Sequence, residues 1–133
     1  MPNPNSAGLP NPSSYTQDVL DDIVTDEITG LMWQRTVDDS THTWAEARMY
    51  CLDLVHAGYD DWRLPWRIEL VSLVDYTKTN PAIDDVFPNT APNEYWTASK
   101  SADNSANAWV VHFGEGHTIT KNQGTAFRAR CVR

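Results

Sequence analysis

No run of about twenty apolar residues occurs in the 133-residue chain, so no segment of it reads as a membrane-spanning helix, and the chain is expected to be soluble by itself. Basic residues are scarce as well: ten Lys and Arg stand against eighteen Asp and Glu, a net charge of -8. A nucleic acid or an anionic membrane surface demands a positive footprint, and this balance argues against both. There are only two cysteines, with no CxxC, CxH or HxxC spacing around either, so the local sequence offers no ligand set for zinc. The opening MPNPNSAGLP has neither a charged n-region nor an apolar h-region and does not read as a secretory signal. Met1 is read as an expression start or as the first residue of a domain cut from a longer protein.

Catalytic signatures are missing too. There is no G-x-S-x-G, and Cys51 and Cys131 read either as a pair or as two buried thiols. His112 and His117 flank FGEG with Glu115 between them, but the glycines imply a hairpin turn and not the helical spacing of a zinc-binding HExxH. Nothing places two acids at a defined separation in a cleft, so the chain reads as non-enzymatic. The acid pairs Asp21/Asp22, Asp38/Asp39, Asp60/Asp61 and Asp84/Asp85 are the one source of hard oxygen ligands. Adjacent acids do not by themselves converge on a cation, and no Asp-x-Asp-x-Asp-Gly loop is present. They read as solvated turn acids; no metal site or cofactor is expected, calcium being the one candidate.

What is present suits a single domain: 41% apolar residues with six tryptophans is ample for one compact core. Residues 1–14 hold four of the eight prolines and read as an extended arm or linker ahead of a domain over residues 15–133. Ile23–Thr25 and Leu31–Trp33, separated by the turn-rich Asp26–Gly30, predict a β-hairpin. In THTWAEARMYCLDLVHAGY, Thr43 and Glu46 form a capping box and Gly58 stands where a left-handed C-terminal cap belongs. Trp44, Ala47, Cys51, Leu54 and Val55 then share one helix face. A second helix is predicted after Pro65, with Ile68, Leu70, Val71, Leu73 and Val74 as its apolar set. EYWTAS, NAWVVHF, HTITK and AFRARCVR predict strands. Alternation in the last of these puts Phe127, Ala129 and Cys131 on one face, taken as the core face, and Arg128, Arg130 and Val132 on the other. Cys131 can therefore meet Cys51. Three of the ten basic residues fall in the last six positions, which makes this tail the one assured basic patch; pairing of its arginines with acids such as Asp60 and Asp61 is the expected arrangement.

VTDEITGLMWQR, TWAEARMYCLDL, DWRLPWRIELVSLVD, YWTAS, AWVVHF and FRARCVR, in this order, resemble the Lcl C-terminal domain family, a bacterial domain found in exported proteins that include collagen-like adhesins. The resemblance spans about residues 20–133. It implies an α+β, C-type-lectin-like fold, with two helices packed on a small twisted antiparallel sheet and a disulfide from the helical Cys51 to Cys131 in the last strand. The broader fold also serves formylglycine-generating enzymes, which use reactive cysteines; a structural bridge here would remove that chemistry.

Two departures matter. Family members usually carry a threonine after RLP, a residue that caps a helix; this chain has Trp66, whose side chain has no oxygen to do so. Sugar-binding C-type lectins hold calcium through Glu-Pro-Asn or Gln-Pro-Asp and a later Trp-Asn-Asp, none of which stands at the matching place, so the calcium-dependent sugar site is not carried over. Trp33, Trp44, Trp62, Trp96 and Trp109 read as core, whereas Trp66 reads as a contact residue. The resemblance implies a bacterial, exported or cell-surface adhesion module, extracellular or periplasmic, that binds a glycan or a protein through its loops at about residues 99–107 and 114–126. Trp66, Lys100, Asn104, Asn107, His117, Lys121, Asn122 and Gln123 are the candidate contacts. Adhesin members are implied to bind sulfated polysaccharides; an acidic chain is expected to prefer a neutral glycan or a protein. The other expectation is a structural role, capping or oligomerising a larger surface protein.

Overall fold

The computed structural model describes residues 13–133. It is an α+β domain with two three-stranded antiparallel sheets where one had been expected. The first sheet runs β1 (Tyr15–Asp18), β2 (Ile23–Asp26) and β3 (Met32–Gln34), in chain order. The predicted hairpin is its β2–β3 pair, in which Asp26 accepts hydrogen bonds from the Ile28 and Thr29 N–H groups and Gly30 takes φ +77°, a conformation that glycine adopts without strain. The second sheet, β4 (Glu94–Lys100), β5 (Asn107–His112) and β6 (His117–Asn122), follows the three predicted runs, with an irregularity in β4 between Trp96 and Lys100. Residues 1–12 of the expected arm lie outside the described residues. Ser14 already belongs to the domain, its carbonyl accepting from the Glu27 N–H.

Helix α1 (Trp44–Asp53) starts on the predicted capping box, Thr43 Oγ1 accepting from Glu46 N–H while the Glu46 carboxylate accepts from Thr43 N–H. Its end differs from expectation. Leu54 is extended, Val55 is exposed, and Gly58 takes its positive φ inside a tight turn bridging His56 and Tyr59, where the Trp62 indole donates to the His56 carbonyl. The turn thus closes over an aromatic side chain, and the helix yields to it. Helix α2 (Arg67–Val71) is only five residues long. Leu70 is buried on it and Leu73 and Val74 just beyond it, while Ile68, expected among the apolar set, is 70% exposed. Both helices pack on the second sheet, α1 against β4 and α2 against β4 and β5.

The terminal segment is the largest departure. Residues 127–133 form no strand but a chain of single bridges: Phe127 to His42, Arg128 to Tyr95, and Val132 to both Trp33 and Arg63. It runs beside β3, exchanging Met32 and Arg133 backbone bonds, and also reaches β4, where Trp96 N–H donates to the Arg128 carbonyl. It is the seam between the sheets, and for that reason both its faces are core. Ala129 and Cys131 enter one cluster with Trp44, Ala47, Trp62 and Trp96; Val132 enters the other with Trp33, Leu70, Phe87 and Tyr95. Alternation is kept, but the face expected to point away from the core points into a second half of it. Cys131 and Cys51 are bonded, both fully buried.

The arginines follow suit. Arg133 pairs with Asp61, as expected of that acid pair, and Arg128 with Asp39. Arg130 forms no ion pair among the described residues: fully buried, it donates to the carbonyls of Gln34 and Arg35 and to Thr90 Oγ1. Burial pulls its guanidinium down to about 10, so it remains charged at neutral pH. Of the five tryptophans read as core, four are buried and Trp109 is half-buried.

Candidate functional site

The motif at residues 61–69, DWRLPWRIE, sets one side chain apart. Arg63 grips Glu69 with both guanidinium nitrogens, at 2.7 and 2.8 Å, and the same carboxylate accepts from the Trp66 N–H at 2.8 Å. Glu69 thereby supplies the reciprocal half of a capping box, satisfying the N-cap N–H, while Trp66 has no side-chain acceptor for the other half, since an indole only donates. The Pro65 carbonyl accepts from Ala98 N–H, and Ser99 Oγ accepts from Arg67 N–H, so the start of α2 is tied to β4 on both sides of Trp66. With its backbone held at these points, Trp66 stays 54% exposed.

Burial alone would raise the Glu69 carboxyl; Arg63 and the Trp66 N–H outweigh it and hold the group below the usual carboxylate range. A lowered folded-state value means that this contribution to stability is whole above the unfolded value of about 4.5 and is lost as pH falls through the folded one. Glu69→Gln is expected to cost about 1 kcal/mol at neutral pH and to flatten the stability profile below pH 4.5 relative to wild type. Urea titrations across that range check both effects.

Three grooves adjoin this element. Trp66 lies between an apolar cleft lined by Leu52, Leu64 and Ala98 and an open groove of about 410 Å³ lined by Ser99, Lys100, Asp103 and Trp109. Arg67 and Ile68 separate the latter from a third groove, of about 600 Å³, with Val71, Tyr76, Glu115 and His117 on its walls. Gly116 forms part of that wall, and a side chain there is barred because a Cβ would stand 2.6 Å from Val74 Cγ1. His112 and His117 stack with ring centroids 4.8 Å apart, and His112 Nδ1 accepts from Gly114 N–H. Among the described residues, no three His, Cys, Asp or Glu side chains gather as a metal set.

The candidate contacts fall into two groups. Trp66 and Lys100 share one groove, and His117 lines the groove beyond Arg67. Asn107 faces Asn122 and Ala108 faces Lys121 across the β5–β6 ladder, near Asn104, and none of these lines the Trp66 grooves. The side-chain carbonyls of Asn104 and Asn122 accept from Ala106 and Gly124 N–H, and Gln123 donates to the Ser105 and Asn107 carbonyls. These amides shape their own turns.

The tail is not the basic patch. Its arginines are paired or buried, as are Arg35, Arg63 and Lys78, leaving Arg48, Arg67, Lys100 and Lys121 with no carboxylate partner among the described residues. Three of these four line the Trp66 grooves. Arg67 lies over the Trp109 ring, 4.2 Å from its centroid, while Arg48 and Lys100 lie over Trp44 at 4.9 and 5.5 Å. Aromatic faces hold these cations in place of acids. Arg48, Arg67, Ile68 and Tyr76 were not among the candidates; the one signal for Arg48 was its helical i,i+4 spacing from Trp44.

The family model for the Lcl C-terminal domain matches residues 22–133. The chain belongs to that family. No match was found among curated proteins. The matched span takes in both helices, the whole second sheet, both cysteines and Trp66.

Proposed function

We propose that this Lcl C-terminal domain is a non-catalytic binding module of C-type-lectin-like fold, exported to the cell surface or periplasm, that recognises a glycan or protein through the Trp66 face. The observation that carries the reading is Trp66 itself, an exposed indole whose backbone is fastened by Glu69 and whose ring separates two grooves. Exposed aromatics on rigid elements serve as anchors because they bury large area at little entropic cost. The α1-to-terminus bridge and the small sheets support the lectin-like fold, and a buried disulfide suits an oxidising compartment.

The test is a screen of wild type and Trp66→Ala against a glycan array, with calcium and with chelator, and against a panel of immobilised proteins. Trp66→Ala is expected to weaken any bound ligand about tenfold or more while changing stability by under about 0.5 kcal/mol. Wild-type affinity in the variant would overturn the assignment of this face. No binder for either, together with a mass that rises with concentration, would favour the capping and oligomerising role.

A further inference from the structure

We infer that the three grooves form one continuous docking band for a protein segment rich in Asp and Glu and interspersed with apolar side chains. The inference rests on the Trp66 face being the binding face, and it specifies the partner's chemistry.

Continuity comes from shared walls: Trp66 borders the first and second grooves, and Arg67 with Ile68 borders the second and third. A band of this kind suits an extended chain better than a single ring. Its apolar surface is aliphatic as well as aromatic, with Leu52, Ile68 and Tyr76 52%, 70% and 65% exposed. Aliphatic side chains seat the apolar side chains of a peptide, whereas a sugar ring stacks on aromatic faces.

Charge sets the sign of the partner. In a chain of net charge -8, three of the four cations without carboxylate partners among the described residues gather on this band, Arg48 at the first groove and Arg67 and Lys100 at the second. Two exposed carboxylates also line it: Asp103, and Glu115, which stands 3.9 Å from the His117 ring. Three cations bracket Trp66 against those two acids. An incoming carboxylate replaces no existing ion pair on reaching Arg48, Arg67 or Lys100, so the attraction is not offset by breaking one. Arg67 adds a planar two-pronged donor that matches a carboxylate, steadied by the Trp109 ring beneath it.

The experiment is selection from a short random-peptide library on the immobilised domain, with sequencing of the recovered pool. A recovered peptide is then titrated against wild type, Trp66→Ala and the double variant Arg67→Gln/Lys100→Gln. The pool is expected to be enriched in Asp and Glu together with Leu, Ile or Phe. The double variant should bind about tenfold more weakly, and raised salt should weaken wild type more than the variant. A neutral or basic pool, no enrichment, or unchanged affinity in the double variant overturns the inference, as does an anionic glycan that binds while peptides do not. If Trp66→Ala weakens a ligand that the charge variant leaves untouched, the face stands and only the partner's chemistry falls. If neither variant matters, both readings fall.

Discussion

Replacing Cys51 and Cys131 together by alanine is expected to lower the unfolding free energy by roughly 4.5 kcal/mol. The bridge spans 80 residues and ties α1 to the terminal segment, so its loss returns a large loop to the conformational freedom of the unfolded chain. Both cysteines are fully buried among Trp44, Ala47, Trp62 and Trp96, so alanines there also leave unfilled space. Against a total stability of about 5–15 kcal/mol for a domain, such a loss brings the fold close to its limit. Chemical denaturation of wild type and double variant, each under non-reducing conditions, measures it. A difference below about 1 kcal/mol would mean that backbone bonds to β3 and β4 hold the terminal segment unaided.

Arg130→Met is the second large effect, at about 3 kcal/mol of destabilisation. Methionine roughly fills the volume, which keeps the cavity term small. What it cannot replace is the donor set: the carbonyls of Gln34 and Arg35 lose a guanidinium nitrogen and Thr90 Oγ1 loses the other. The Gln34 carbonyl, buried, and the Arg35 carbonyl, part-buried, are then left without that donor, a loss expected to outweigh the relief of no longer burying a charge that burial disfavours. Arg130→Lys should recover only part of the loss, since one ammonium on a flexible stem cannot reach acceptors that a rigid fork spans. Equal midpoints for wild type and both variants would show that the three acceptors find other partners.

The contrast between these two sites shows what was legible in the sequence. Cys51 and Cys131 could be matched because each sits on a locally encoded face: a capping box at Thr43 and Glu46 sets the helix, and strict alternation sets the tail. The hairpin around Gly30 was equally readable, since a turn's residues lie side by side in the chain. Arg130 was not readable. Its role depends on β3 and Thr90 reaching it from far apart in sequence, and an arginine in an alternating run gives no sign that both faces will be enclosed. The stretch between α2 and β4 was silent for a similar reason. Ala82, Ile83 and Phe87 there are buried without regular structure, so no period marks them. At the candidate site, Trp66 was visible as an intruder at a capping position. The cations around it were not, because which of ten basic residues lack an acid is decided by three-dimensional pairing.

The seam made by residues 127–133 has a consequence for synthesis. A chain emerging N-terminus first releases both sheets and both helices before the segment that closes either cluster, so neither half of the core can be completed along the way. The apolar surface that Val132 covers in one cluster, and Ala129 and Cys131 in the other, stays open until residues 127–133 are made. Completion of both clusters thus coincides with the arrival of Cys131 and Val132.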